Sequence, residues 1–336
     1  MDWRKGFSSR YYISIVDRDT WRDIKRIEIT GGSIKRSISA LRQSADIKVI
    51  NYQESGEPLI RVWLDAKQDD TSSHTPLFTG LATTPGRDIS GRLVSQTLQC
   101  YSVLKPADDI LLPRGWYAAA DMNVVSQIVN LLKVTKAPVE ILGETTDLTL
   151  KQAVIAEQNE TNLSMIEVLL SIINWRMTID GYGTIKLGPY SSEPSMVLDS
   201  IDNDILEPNL RDNYDWYACP NVFRAIDVQT SAVAKDEDPN SPFSIQNRGR
   251  EIWAEETSCL LNENETLAAY ARRRLSESQQ IGRSVSYDRR FMPDLNVTDI
   301  VRLNYPAQDL VGSFIITDQT INLSFGAKIS EEVMQV

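Results

Sequence analysis

The sequence predicts an α+β chain, mainly β, with a β-module at each end and a smaller α+β unit between them. Three observations predict it. Short apolar segments separated by turn residues fill the first hundred positions. The hydrophobic period then becomes helical between residues 121 and 173. Strand-like segments return from Asn221, interrupted by one further helical stretch that starts near Glu265.

In the first module, Tyr11–Val16 is β-branched and aromatic, and Asp23–Thr30 carries Ile24, Ile27 and Ile29 before Gly31 and Gly32. Ala45–Tyr52 places Ile47 and Val49 on one face, and Leu59–Lys67 places Ile60, Val62 and Leu64 on one face. Leu77–Ala82 and Arg92–Leu104 complete the set. Many short strands of this kind predict an antiparallel sandwich or barrel. Asp69–His74 reads as an exposed hairpin loop, and Pro85–Asp88 as a turn.

In the middle unit, Asp121 is placed to cap a helix carrying Val124, Val125, Ile128, Leu131 and Leu132. Val139–Leu142 reads as a short strand. Asn162 is placed to cap a second helix, with Met165, Ile166, Leu169, Leu170 and Ile173 on its apolar face. Arg176–Ile179 and Thr184–Leu187 flank Asp180-Gly181-Tyr182-Gly183, a hairpin signal. Asn203–Asn213, polar and holding Pro208, reads as a linker.

The closing module starts with a strand, Asn221–Val228, and a surface loop around Asp236–Pro242. Asn262 and Glu265 form a capping-box pattern ahead of Leu267, Ala268, Ala271 and Leu275, with Arg272, Arg273 and Arg274 toward the helix end. A strand follows with Val285, Tyr287 and Phe291 on one face, then a turn at Met292–Leu295. Ile300–Tyr305, Gly312–Gln319 and Thr320–Phe325 form a meander. The helix is expected to bury its stripe against that meander.

Composition narrows the function. A chain of 336 residues holds two or three domains, and 42% hydrophobic with 24% charged residues is ordinary for a globular protein. A net charge of −11 argues against a surface that grips phosphates. Cys100, Cys219 and Cys259 are odd in number and far apart, so free buried thiols are expected rather than disulfides or a zinc site. The N-terminus leads to no long apolar run, and the longest apolar stretch, Met165–Ile173, is too short to span a bilayer. A soluble chain made in the cytoplasm, without membrane insertion, is expected.

The search for chemistry nominates no catalytic, cofactor-binding or metal-ligating residue, and no cofactor is expected. His74 is the single histidine, so no second one can complete a metal site or relieve it in a triad. No G-x-S-x-G elbow and no P-loop are present. Asp199–Asp204 starts like a calcium loop but has Ile201 at its third position and no glycine at its sixth. The seven tryptophans are scattered, as core or interface anchors are.

The order of pieces resembles the central baseplate hub proteins of phage tails, the group that includes late-control protein D and the hub part of type VI spike proteins. Leu77-Phe78-Thr79-Gly80-Leu81 is similar to the family's LF-x-G strand, and Leu98–Ser102 to the strand after it. Ile166–Gly188 resembles the end of the family's insert, and Pro220–Phe223 the entry strand of the second barrel. Pro293–Val301 resembles the P-x-L-x-V-x-D-x-V turn, although relatives often carry glycine at or beside the position of Thr298. The resemblance implies two small antiparallel, tail-tube-like β-barrels with an α/β insert: residues 1–105, 106–212 and 213–336. It also implies a homotrimer whose six barrels form a pseudo-sixfold ring between tail tube and central spike. Partners would be the tube or distal tail protein, the spike, and the wedge and tape-measure proteins. DNA would pass through the lumen without specific binding, and the location would be the virion tail baseplate. A tail-associated cell-wall hydrolase and a carbohydrate-binding β-module are the alternatives from other classes.

Overall fold

The computed structural model describes the chain except residues 40, 84–85, 192, 218, 228–229, 262–264, 281–282, 325 and 327, and describes only the backbone of 207–209 and 280. The first unit holds β1 (Ser8–Val16), β2 (Asp23–Ser37), β3 (Gln43–Ile50), β4 (Leu59–Gln68), β5 (Thr71–Thr83), β6 (Arg87–Ser90) and β7 (Leu93–Ser102). The order β1-β4-β5-β7-β3-β2 is antiparallel throughout, and β2 pairs again with β1, so the pairings return on themselves. Ile13, Ile34, Ile47, Ile60, Val62, Leu64, Leu77, Phe78 and Leu98 fill the inside of this circuit. The alternation in β3, with Ile47 and Val49 inward and Asp46 and Lys48 outward, follows from the period of two.

Two expectations here are corrected. The loop expected at Asp69–His74 is only a turn at Asp69 and Asp70; β5 begins at Thr71, and His74 stands opposite Asp65 in the ladder. Arg87 and Asp88 open β6, which pairs with β7; Pro85 lies outside the described residues. Polar side chains suggested loops, but outward positions of a strand accept them equally well.

The middle unit contains α1 (Lys105–Asp109), β8 (Tyr117–Ala118), α2 (Val124–Leu132), β9 (Val139–Ile141), β10 (Val154–Ile155), α3 (Asn162–Ile173), β11 (Trp175–Ile179) and β12 (Ile185–Pro189). The apolar faces expected on α2 and α3 are buried together. The caps shift. Asn123, not Asp121, accepts from the Ser126 N–H on α2, and Thr161 with Ser164 forms the capping box of α3. The β11–β12 hairpin forms as expected, and β9 adds to β12 in parallel.

The rest comprises β13 (Met196–Asp199), β14 (Ile205–Tyr214), β15 (Val222–Ile226), β16 (Ser231–Lys235), α4 (Ile245–Arg248), β17 (Trp253–Thr257), α5 (Leu267–Gln280), β18 (Arg283–Arg290), β19 (Ile300–Tyr305), β20 (Leu310–Asn322) and β21 (Lys328–Gln335). The segment read as a linker is strand β14, paired with β18 across a bulge between Leu206 and Arg211. The two strands expected at Gly312–Phe325 are the single strand β20, bent at a bulge between Ile316 and Asp318. α5 does not cover this meander. It packs on the sheet β16-β15-β17 through Tyr270, Ala271 and Leu275 against Phe223, Ala225 and Ala234; β15, expected from the Pro220–Phe223 segment to enter the second barrel, pairs with β16 and β17 in this separate sheet instead. The stripe was legible, but a stripe does not name its partner. Arg272–Arg274 lie mid-helix rather than at its end. The expected cap Asn262 and the strand ends at Val228 and Phe325 lie outside the described residues.

The second large unit has the order β13-β19-β20-β21-β18-β14 around a core of Leu198, Val285, Tyr287, Val301, Leu303, Phe314, Ile316 and Val333. Ranked by chain position, its six strands stand in the same spatial order as the six of the first circuit. One strand differs in direction: β13 runs parallel to β19, whereas β1 runs antiparallel to β4. The two units join edge to edge through Ser33–Ser37 of β2 and Asp318–Asn322 of β20, giving one 13-stranded sheet.

Candidate assembly surfaces

The junction between the large units is polar inside. Arg289 Nη2 donates to Glu331 Oε1 at 2.7 Å, with both side chains fully buried. Gln319 Nε2 donates to the same oxygen at 2.6 Å, and its Oε1 accepts from Arg36 Nη1 at 3.4 Å. Arg36 Nη2 reaches back to the Leu77 carbonyl at 2.8 Å. The network thus runs from β5 through β2 and β20 to β21 and β18. Burial, and then repulsion from Arg289, pushes the Arg36 guanidinium down to about 10.

The middle unit is fixed to both neighbours. Thr79 Oγ1 donates to the Gly181 carbonyl at 2.8 Å, Arg61 Nη2 to the Tyr182 carbonyl at 3.2 Å, and Gln43 Nε2 to the Ile179 carbonyl at 2.6 Å. A Cβ on Gly181 would stand 1.9 Å from the Pro76 carbonyl oxygen, so only glycine fits this docked hairpin. On the other side Arg176 Nη1 donates to the backbone oxygen and Oγ1 of Thr298 at 2.5 and 2.8 Å. Thr298 has φ +72°, in the left-handed region that favours glycine. A cavity of about 570 Å³ opens between α3, α5 and the second unit, bordered by the Arg42–Glu167 ion pair, Tyr190 and Arg273. Burial raises the Glu167 carboxyl, opposed by Arg42.

The N-terminal segment also bridges. Arg4 grips the fully buried carboxylate of Asp204 through Nε and Nη2 at 2.8 and 2.9 Å, and Arg290 Nη1 donates to the Arg4 carbonyl. The calcium-like stretch Asp199–Asp204 therefore holds a cation of the chain itself. Among the described residues no group of three or more His, Cys, Asp or Glu is placed to hold a metal ion.

His74 hydrogen-bonds Asp65 Oδ1 through Nδ1 at 2.6 Å and stacks on Trp63 with ring centroids 4.0 Å apart. Neighbouring Ser73 pairs with the Thr75 hydroxyl instead of His74. Tyr182 sits edge-on to Trp63, its carbonyl accepts from Arg61, and Leu59 packs into the middle unit's core, so the outer face of β4 is covered as well. Arg273 and Arg274 are held by Glu265, Glu277 and Glu256 of the same chain. All three cysteines are free and buried, as expected. Among the described residues no helix is long and apolar enough to cross a membrane.

The 43 kDa tail protein of prophage MuSo2 from Shewanella oneidensis superposes with a TM-score of 0.71 at 14% identity, over 98% of each chain. A tail protein from Neisseria meningitidis gives 0.70 at 15% identity over 97% of each. The chain has the fold of phage tail proteins. The tail-protein fold also extends to an E. coli component of the type VI secretion system, itself described as similar in structure to T4 bacteriophage tail proteins, with a TM-score of 0.55 at 8% identity over 96% of this chain and 76% of that one. Neither protein-family profiles nor curated protein sequences give a match. The mainly β, α+β class and the likeness to tail and type VI proteins expected from sequence are therefore found.

Proposed function

We propose that this chain is a structural hub subunit of the baseplate in a phage tail or a phage-tail-like injection machine. Three copies form a pseudo-sixfold ring that joins the tail tube to the central spike and lines the channel for DNA. The observation that carries this reading is the pair of large units with one shared strand order, joined edge to edge within a single chain. A chain that already contains two such units needs three copies to present six, and a ring closes when one heterologous interface repeats about an axis. In this reading residues 1–105 are the first ring unit, the insert braces it, and the second unit draws β13 and β14 from ahead of residue 213. Besides other copies of itself, the partners are the tube or distal tail protein, the spike, and the wedge and tape-measure proteins. The net charge of −11 suits a lumen that repels DNA rather than binding it. The reading assigns no catalytic role.

Light-scattering mass and negative-stain imaging test the proposal. The expected result is a species of three times 37.9 kDa with six peripheral lobes. A monomer both in isolation and inside assembled particles would sink it.

A further inference from the structure

The junction inside the chain specifies what the junction between chains should be. β3 and β18, the third strands of the two units, are each eight residues long, and their neighbours align in register. Ser33 and Arg36 stand opposite Asp46 and Gln43, while Arg211 and Tyr214 stand opposite Ser286 and Arg283. Arg211–Tyr214 is therefore the counterpart of Ser33–Arg36. Ser44 faces Tyr101 and Ser284 faces Met334, so Gln96 corresponds to Ile329. Arg87 faces Gln96 and Ile321 faces Ile329. Arg87 and Asp88 are thus the counterparts of Ile321 and Asn322.

Within the chain, Ser33–Ser37 pairs with Asp318–Asn322. The counterparts of both partners have an open edge: among the described residues β14 pairs only with β18 and β6 only with β7. Both segments are exposed along their length, and neither Arg87–Ser90 nor Arg211–Tyr214 contains a proline. Translating the internal register gives the pairs directly. Ser33 opposite Asn322 becomes Arg211 opposite Asp88, and Ile34 opposite Ile321 becomes Asp212 opposite Arg87. Two opposite-charge pairs emerge from a register taken only from backbone partners. One step further, Leu323 N–H donates to the Gly32 carbonyl in the internal junction, and its side chain is 3% exposed. Its counterpart is Ile89, which is 64% exposed in the single chain. Opposite it would stand Leu210, the counterpart of Gly32.

We infer that subunits associate by antiparallel pairing of Leu210–Asp212 of one copy with Arg87–Ile89 of the next, continuing the sheet across the boundary and burying Ile89. This rests on the proposed ring and deepens it. Three internal and three external junctions of like geometry then close around one axis. The edge is satisfied by a second copy of this chain, and the crossed charges at Arg211/Asp88 and Asp212/Arg87 set the register against a slip.

The test is a cysteine cross-link. Residues opposite each other in antiparallel strands have Cα atoms about 4.5–5.5 Å apart, within disulfide reach. The double variant Asp88→Cys/Arg211→Cys, mildly oxidised, should give a covalent trimer on a non-reducing gel. Asp88→Cys/Tyr214→Cys, three residues out of register, should not. The three native thiols are buried and do not interfere. Ile89→Lys should raise the trimer dissociation constant at least tenfold while leaving the melting temperature of the dilute subunit unchanged. If the wild type forms the trimer but the in-register pair does not cross-link, or Ile89→Lys has no effect, the strand pairing is wrong and the hub reading stands. If no association occurs at any concentration or in assembled particles, both fall.

Discussion

Gly80 lies on β5 two residues after Phe78, and a Cβ built there would stand 2.2 Å from the Tyr101 carbonyl oxygen and 2.5 Å from the Phe78 ring. The obstacle on one side is backbone, which cannot swing away. Gly80→Ala is expected to cost about 1–3 kcal/mol, read as a lower urea midpoint with unchanged slope. The glycine of the LF-x-G segment was legible in the sequence, but its reason was not, because the crowding atom is contributed by β7. Asp299 shows a different kind of hidden environment. Burial raises its carboxyl above the usual 3.8, against the Asn296 N–H and Arg176, which lower it. A raised value means the folded chain binds the proton more readily than the unfolded one, so this group's contribution to stability increases as pH falls from above the raised value to 3.8. Asp299→Asn keeps an oxygen to accept from Asn296 and removes the titration. Its melting temperature is expected to exceed that of the wild type most at neutral pH, with the margin closing in the acidic range. A constant margin across a pH series would show that the group does not titrate as described.

At the level of elements, periodicity located α2, α3 and α5 and most strands, because burial on one face leaves a repeating mark. It failed where marks are shared. Asn203–Asn213 is polar, yet its strand β14 lies at a sheet end with the outer half exposed, so no apolar alternation was imposed on it. α5 was assigned the wrong partner because Leu275 and Ala271 state only that something covers them. Leu275 is 6% exposed against the β15–β16 surface. Leu275→Ala is expected to cost about 2–5 kcal/mol. If α5 belonged to the closing meander, the loosened amides would be those of β19–β21. From the observed packing, hydrogen exchange should accelerate in Val222–Ile226 and Ser231–Lys235 instead.

Over the whole molecule, the mainly β, α+β class could be read from sequence. The edge-to-edge joint could not, since β2 and β20 are separated by nearly the full chain and share no local signal. The polar network inside that joint is equally non-local. Removing one member of a buried ion pair leaves the other uncompensated, and Glu331→Ala is expected to cost about 3–5 kcal/mol. Replacing Glu331 and Arg289 together by Leu and Met should recover most of that stability while weakening the definition of the joint, visible as line broadening of β2 and β20 amides. Recovery with equally sharp signals would show that the pair does not position the two units.

The split origin of the second unit sets an order in time. Every strand of the first circuit lies within residues 8–102, so it can close as soon as that stretch has left the ribosome. β13 and β14 emerge after the middle unit but find their partners only from Arg283 onward, with β15–β17 and α5 made in between. During that interval β2 also presents Ser33–Ser37 with its later neighbour β20 not yet made. The nascent chain thus carries open strand edges, and premature pairing between polysome neighbours is the hazard this topology creates.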